Sequence, residues 1–193
     1  IVLLASATVT LDELGTNIDV STLVLLFALM IISAQFVSAG FFEIAADWIM
    51  QRADTPTMML ALTVGVAGGL SALLANELVV LTMAPLLITG AQSRGLDPRP
   101  YLIALAGAAN AGSAATLIGN PPNIVIGQVG ELSFHLYLLA GIVPALLGLA
   151  SVFGVTWFLW RDRLEAPVPV GGVTEVARHP HDRTQTLKGL AGM

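Results

Sequence analysis

Charged residues punctuate this chain at wide intervals. Val20–Phe42, Thr55–Asn76, Pro100–Gly130 and Leu132–Trp160 contain no Asp, Glu, Lys or Arg, and Leu78–Ser93 is a shorter run of 16 residues. About 20 helical residues cross the roughly 30 Å hydrocarbon layer of a bilayer, so four of the runs approach or exceed a span. The pattern predicts an all-α polytopic membrane protein. A transmembrane region over 1–160 holds a span at about 20–50, a helical hairpin over 56–93, a broken helix over 101–130 and a span over 134–160. Residues 161–193 are polar, with Pro167, Pro169, Gly171 and Gly172 early in the segment, and read as a cytoplasmic linker.

Composition agrees with the pattern. Hydrophobic residues make up 55% of the chain and charged residues 11%, with a mean hydropathy of +0.83, well beyond the usual globular mixture. The absence of cysteine excludes disulfides, thiolate metal sites and cysteine nucleophiles. The net charge of −5 comes without any basic patch, so nucleic acid is not an expected partner. Ile1–Thr10 is apolar but too short to span, and reads as the end of an earlier helix or a stripped signal region. The missing initial Met favours a piece of a longer protein.

The arginines set an orientation. The first span begins after Asp12, Glu13 and Asp19 and reaches Arg52; the hairpin returns to Arg94 and Arg99. The long third run crosses to Glu131 and His135, and the last returns to Arg161 and Arg163, with Arg178, Arg183 and Lys188 beyond. By the positive-inside rule the Arg52, Arg94, Arg99 and Arg161 side is cytoplasmic, in a cell (inner or plasma) membrane. Asn76–Glu77 then sits at the tip of a hairpin with both ends inside. The 16 residues of its second arm supply only about 24 Å of helix, which favours a re-entrant hairpin; a tight outer turn wetted by water is the alternative.

The third run carries ANAGSAATLIGNPPN, Ala109–Asn123. The carbonyls of Leu117 and Ile118 would need N–H groups from Pro121 and Pro122, which have none. Asn120 is pushed out of the helical region by the proline after it, and Gly119 supplies the backbone freedom that a break needs. One helix is therefore expected to end near Ile118 and a second to start with Asn120 as cap and Pro121 in its first turn. Bare carbonyls beside the positive end of a restarted helix can hold a cation and an anion side by side, as in secondary transporters, at the bilayer midplane. Ser113, Thr116, Asn120 and Asn123 add hydroxyls and amides at that depth. A proline kink repaired by a neighbouring helix or water is the plainer alternative.

ANELVVLTMAPLLI (Ala75–Ile88) followed by LIALAGAANAGSAATLIGNPPNIVIG (Leu102–Gly127) resembles the ion transporter superfamily. That superfamily includes the divalent-anion:sodium symporters, citrate-type carriers, arsenite permeases and related sodium–proton antiporters. Ser21–Ile49 resembles the family's helix before the hairpin, and the likeness covers roughly Val20 to Trp160. It implies one repeat of an inverted-repeat secondary transporter with a re-entrant hairpin and a broken transmembrane helix. The second repeat would lie beyond Met193 or in another chain, and family precedent leans to a homodimer. A cation site between hairpin tip and broken-helix loop is implied too, with the anion beside it. By motif, Asn76 is the tip asparagine, and Gly112, Thr116, Gly119, Asn120, Pro121, Pro122 and Asn123 belong to the loop. A possible sodium site falls at Leu117, Ile118 and Asn76. The tip reads Ala75-Asn76-Glu77 where dicarboxylate symporters usually have Ser-Asn-Thr, a departure toward the arsenite and antiporter branches.

The expected activity is ion-coupled transport of a small anion, a di- or tricarboxylate or an inorganic oxyanion, by alternating access. The coupling ion is Na+ or H+, the bilayer is the surrounding partner, and no cofactor is expected. The alternative is a cation–proton antiporter or arsenite-type efflux permease using Glu77, since a carboxylate at membrane depth is costly and points to function. Intramembrane catalysis would need a nucleophile–base pair or metal ligands at depth, and the spans offer Glu77 no such companion. Glu43 and Asp47, spaced i, i+4, are expected in water. His179 and His181 lack a supporting cluster for a metal.

Overall fold

The computed structural model describes residues 20–164; the N-terminal apolar stretch, Asp12, Glu13, Asp19, and most of the expected linker with His179 and His181 lie outside them. Seven helices and no strand are found among the described residues: α1 (Val20–Ser38), α2 (Phe41–Arg52), α3 (Pro56–Ser71), α4 (Asn76–Ser93), α5 (Arg99–Ser113), α6 (Pro121–Val129) and α7 (Phe134–Trp160). Among the described residues α7 is the one helix long and apolar enough to cross a membrane, and α1 with α2 forms a second candidate bent by 56°.

The bend interrupts the helix expected to run on to Arg52. Gly40 stands in the left-handed region at φ 69, where a side chain would be strained. Phe36 and Phe41 clamp the corner edge to face, with ring centroids 5.3 Å apart. Glu43 and Asp47, expected in water, are half-buried on α2.

The core gathers on α2, α3, α4 and α5, around Phe42, Ile49, Met59, Met83, Leu87 and Tyr101. α3 starts as its sequence dictates: Thr55 caps it by accepting the Met58 N–H at 3.1 Å, with Pro56 in the first turn. Small residues let the helices meet backbone to backbone. A Cβ on Gly112 of α5 would lie 2.1 Å from the carbonyl oxygen of Gly68 on α3. By contrast α7 leaves Leu136, Leu139, Leu147, Phe158 and Leu159 more than half exposed.

One end of the bundle collects the arginines. The guanidinium of Arg94 donates to the carbonyls of Met50 and Ala53 at the end of α2. Tyr101 Oη donates to the Pro56 carbonyl at 3.3 Å, and Arg99 shares a cleft with Trp160 and Arg163. Trp48 lies under Arg52 at 5.6 Å, and Arg161 stacks on Trp157 and Phe158 at 5.9 and 5.1 Å. Tryptophans with arginines at one level mark a membrane–water boundary.

Helix α7 serves as a ruler for depth. Moving along it from the arginine end, Val152 faces Gly107, Gly148 faces Ala111, and Gly141 meets the carbonyls of Ala114 and Ala115. Gly141 is about 28 Å of helix from Trp160 and about 10 Å from Phe134. The end of α5 therefore sits roughly two-thirds of the way along α7 from the arginine end. The hairpin tip shares this level, because Thr116 Oγ1 donates to the Ala72 carbonyl at 2.5 Å. The tip stops short of the far end of α7.

Candidate functional site

The helix break is wider than the prolines alone require. α5 ends at Ser113 rather than near Ile118, and α6 starts at Pro121 with Asn120 as its cap. The restart follows its local chemistry: Asn120 Oδ1 accepts the Asn123 N–H at 3.0 Å, and both prolines occupy the first turn, where a missing donor costs nothing. The early stop has a tertiary cause. The Asn123 side chain reaches back and its Nδ2 donates to the carbonyls of Ser113 at 3.2 Å and Thr116 at 2.9 Å. An amide thus serves oxygens that the helix has abandoned. Gly119 folds onto Ser113, where a Cβ would lie 2.2 Å from the Ser113 oxygen. Both contacts hold the connection as a compact loop instead of one more turn of helix.

Side-chain hydrogen bonds then tie this loop together and to the hairpin. Asn120 Nδ2 donates to Ser113 Oγ at 3.0 Å, and Ser113 Oγ to the Asn110 carbonyl at 2.9 Å. Thr116 holds Ala72 of the tip, and Asn76 Nδ2 donates to Asn110 Oδ1 at 3.3 Å. From the other side Ser33 of α1, fully buried, accepts the Ala75 N–H at 3.3 Å. Of the residues predicted from sequence, Asn76, Ser113, Thr116, Asn120 and Asn123 enter this network, and Gly112, Gly119, Pro121 and Pro122 shape its backbone.

Three others are placed differently. Leu117 and Ile118 line an apolar cleft of about 240 Å³ with Leu25, Ile124, Gln128 and Phe134. Among the described residues no donor reaches their carbonyls. Glu77 is exposed in the first turn of α4 and forms no ion pair among the described residues. A carboxylate at that point is favoured by the helix dipole.

Two residues escaped the sequence reading. Asn110 stands on α5 facing the tip, and Ser33 sits inside the first apolar run. Each was a polar side chain in an uncharged stretch, which was the available signal; which helix it would face was not. Asn76 Oδ1 is buried and has no hydrogen-bond partner among the described residues. Buried acceptors are normally paired, which sets this oxygen apart from the other polar atoms of the network. No group of three or more His, Cys, Asp or Glu suited to a metal occurs among the described residues.

Comparison with known proteins places this arrangement. The model of the family described as citrate transporter matches residues 1–190. Similar curated proteins include an uncharacterized transporter of Mycobacterium tuberculosis, 33% identical over 175 residues, or 89% of this chain and 41% of its own length. The silicon efflux transporter LSI3 of Oryza sativa subsp. japonica is 35% identical over 136 residues, 70% of this chain and 28% of its own length. The putative transporter arsB of Dictyostelium discoideum is 29% identical over 136 residues, 70% of this chain and 24% of its own length. The chain thus spans less than half the length of these relatives.

Proposed function

The chain belongs to the citrate transporter family, and from that premise we propose that it forms one repeat of an ion-coupled secondary transporter moving a small anion across the cell membrane by alternating access. The observation that carries the reading is the bare, buried Asn76 Oδ1 at a hairpin tip tied to a helix-break loop. An unpaired buried acceptor costs about 1–3 kcal/mol, a cost that a bound Na+ would offset. The N-terminus of α6 presents its positive dipole end from the same loop, which suits an anion beside the cation. The arginine end faces the cytoplasm by the positive-inside rule, and a second repeat completes the site from the opposite side.

A second reading has its own support. Glu77 is exposed beside Asn76, and the similar rice protein is named a silicon efflux transporter. In that version Glu77 carries a proton or binds the cation, and the transporter exports an oxyanion or exchanges cations for protons.

Full-length protein in proteoliposomes distinguishes these readings. Labelled citrate, succinate, sulfate and arsenite are offered with and without sodium and pH gradients. Sodium-driven accumulation of one anion, reduced tenfold or more in Asn76→Ala, is the expected result. Movement driven by the pH gradient and abolished by Glu77→Gln selects the second reading. Gradient-independent behaviour of all four anions in the parent overturns both.

A further inference from the structure

The seam between α5 and α7 at the arginine end carries a site that the transport reading does not use. A cleft of about 450 Å³ opens there, lined by Arg99, Leu159, Trp160, Asp162 and Arg163. Along the same seam, one turn further from the arginine end, runs an apolar surface groove of about 320 Å³ lined by Ile103, Gly107, Val152, Val155, Ser151 and Thr156. Arg99 and Ile103 are one helical turn apart on α5, as are Trp160 and Thr156 on α7. A polar cleft at the boundary therefore leads into an apolar furrow below it.

The two arginines are differently prepared. Arg99 is held in place by Asp97, with its Nε 2.9 Å from each carboxylate oxygen and its Nη2 2.7 Å from Oδ2. Its side chain is nonetheless 76% exposed, and an arginine has five N–H donors, so its remaining donors face outward. Arg163 forms no ion pair among the described residues. Two carboxylates neighbour an arriving anion: Asp97, already bonded to Arg99, and Asp162, which is 92% exposed with its carboxylate 3.9 Å from the Arg161 guanidinium. The tryptophan level already described places the cleft at headgroup depth. Exposed Val155, Leu159 and Ile103 flank it, as lipid-facing side chains would.

We infer that this seam binds an anionic phospholipid, its phosphodiester on Arg99 and Arg163 and one acyl chain along Ile103, Gly107, Val152 and Val155. Phosphate suits two guanidiniums because their planar N–H forks match its oxygens. The furrow is what separates a lipid from free phosphate, since inorganic phosphate gains nothing from apolar walls. Basic pockets between transmembrane helices on the cytoplasmic side recognise anionic headgroups by the same charge logic. Because α5 leads straight into the break loop, a lipid wedged along it would also brace that helix against α7.

Native mass spectrometry of the full-length protein, released from mixed micelles containing phosphatidylglycerol or phosphatidylcholine, tests this directly. The parent should retain phosphatidylglycerol about tenfold or more over phosphatidylcholine, the scale that two surface arginines supply. Arg99→Gln with Arg163→Gln should bring the ratio close to one, and Arg99→Lys, which keeps the charge and loses the planar fork, should lower it less than Arg99→Gln alone. Ile103→Trp, which fills the furrow and leaves both arginines, should lower retention of phosphatidylglycerol several-fold. Equal retention of the two lipids by the parent overturns the inference, and that comparison needs no variant to fold. Displacement of the lipid by millimolar inorganic phosphate also overturns it, leaving a free-anion site, as does an unchanged ratio in the double variant.

Discussion

At the scale of single residues, the side chain of Asn123 sets the shape of the break. Its amide satisfies two carbonyls, those of Ser113 and Thr116, that the early end of α5 and the loop would otherwise leave bare. Asn123→Ala should therefore destabilise the protein by about 1–3 kcal/mol, the cost of orphaning buried acceptors, read as a lowered thermal transition in detergent. Thr116→Val keeps the shape and removes the hydroxyl that holds Ala72; it should lower transport more than stability, and Thr116→Ser should restore it. A different residue controls the acid limit. The Arg99 guanidinium and backbone N–H bonded to Asp97 hold its carboxyl below its ordinary value of 3.8. A depressed carboxylate stabilises the fold above its unfolded pKa, and that contribution is lost as pH falls through the folded value. The window therefore lies below about pH 4. Asp97→Asn should be less stable than the parent at neutral pH, with the two curves converging on acidification; parallel curves would remove Asp97 from the account.

At the scale of elements, glycine position separates contact from tolerance. Gly112 and Gly68 bring α5 and α3 to backbone contact, and a methyl on Gly112 meets a carbonyl that cannot move without parting the helices. Gly69, one residue along, has nothing within 4 Å of the place where a Cβ would stand. Gly112→Ala should cost about 1–3 kcal/mol as overpacking and abolish transport. Gly69→Ala should be neutral or stabilising by up to about 1 kcal/mol, because it removes helix-interior flexibility. Equal thermal transitions for the two variants would contradict the packing described. The same logic explains why the apolar pattern located these helices without locating their crossings. Periodicity reports which stretches leave water, and Gly68 and Gly112 look alike to it with Gly65 and Gly69.

At the scale of the whole molecule, the exposed apolar faces of α1 and α7 and the tryptophans beside Arg52 and Arg161 agree on how the bundle meets a bilayer. Single cysteines make the orientation measurable in a cysteine-free background. Ser93→Cys and Arg163→Cys should be modified by an impermeant thiol reagent only from the cytoplasmic side, and Glu131→Cys only from outside. Labelling of Ser93→Cys from outside would reverse the orientation and the hairpin with it. Ser93 is the better probe than its neighbour, because Arg94 anchors the end of α2 and its loss would disturb the packing being tested.

Much of this protein was legible from its residues alone, for a local reason. Uncharged runs of membrane length, arginines gathered at alternate ends of those runs, and two prolines that cannot supply donors are properties of adjacent residues, and they led to the helices, the family and the restart of α6 at Asn120. Tertiary structure decided the rest. It moved the end of α5 from Ile118 back to Ser113, because an amide ten residues away reaches the freed carbonyls and Gly119 packs on Ser113. It bent the first helix at Gly40. It also chose Asn110 and Ser33 as the partners of the hairpin tip. Bare backbone groups are predictable from sequence because their donors are neighbours in the chain; what satisfies them is not, because those partners are brought near only by folding.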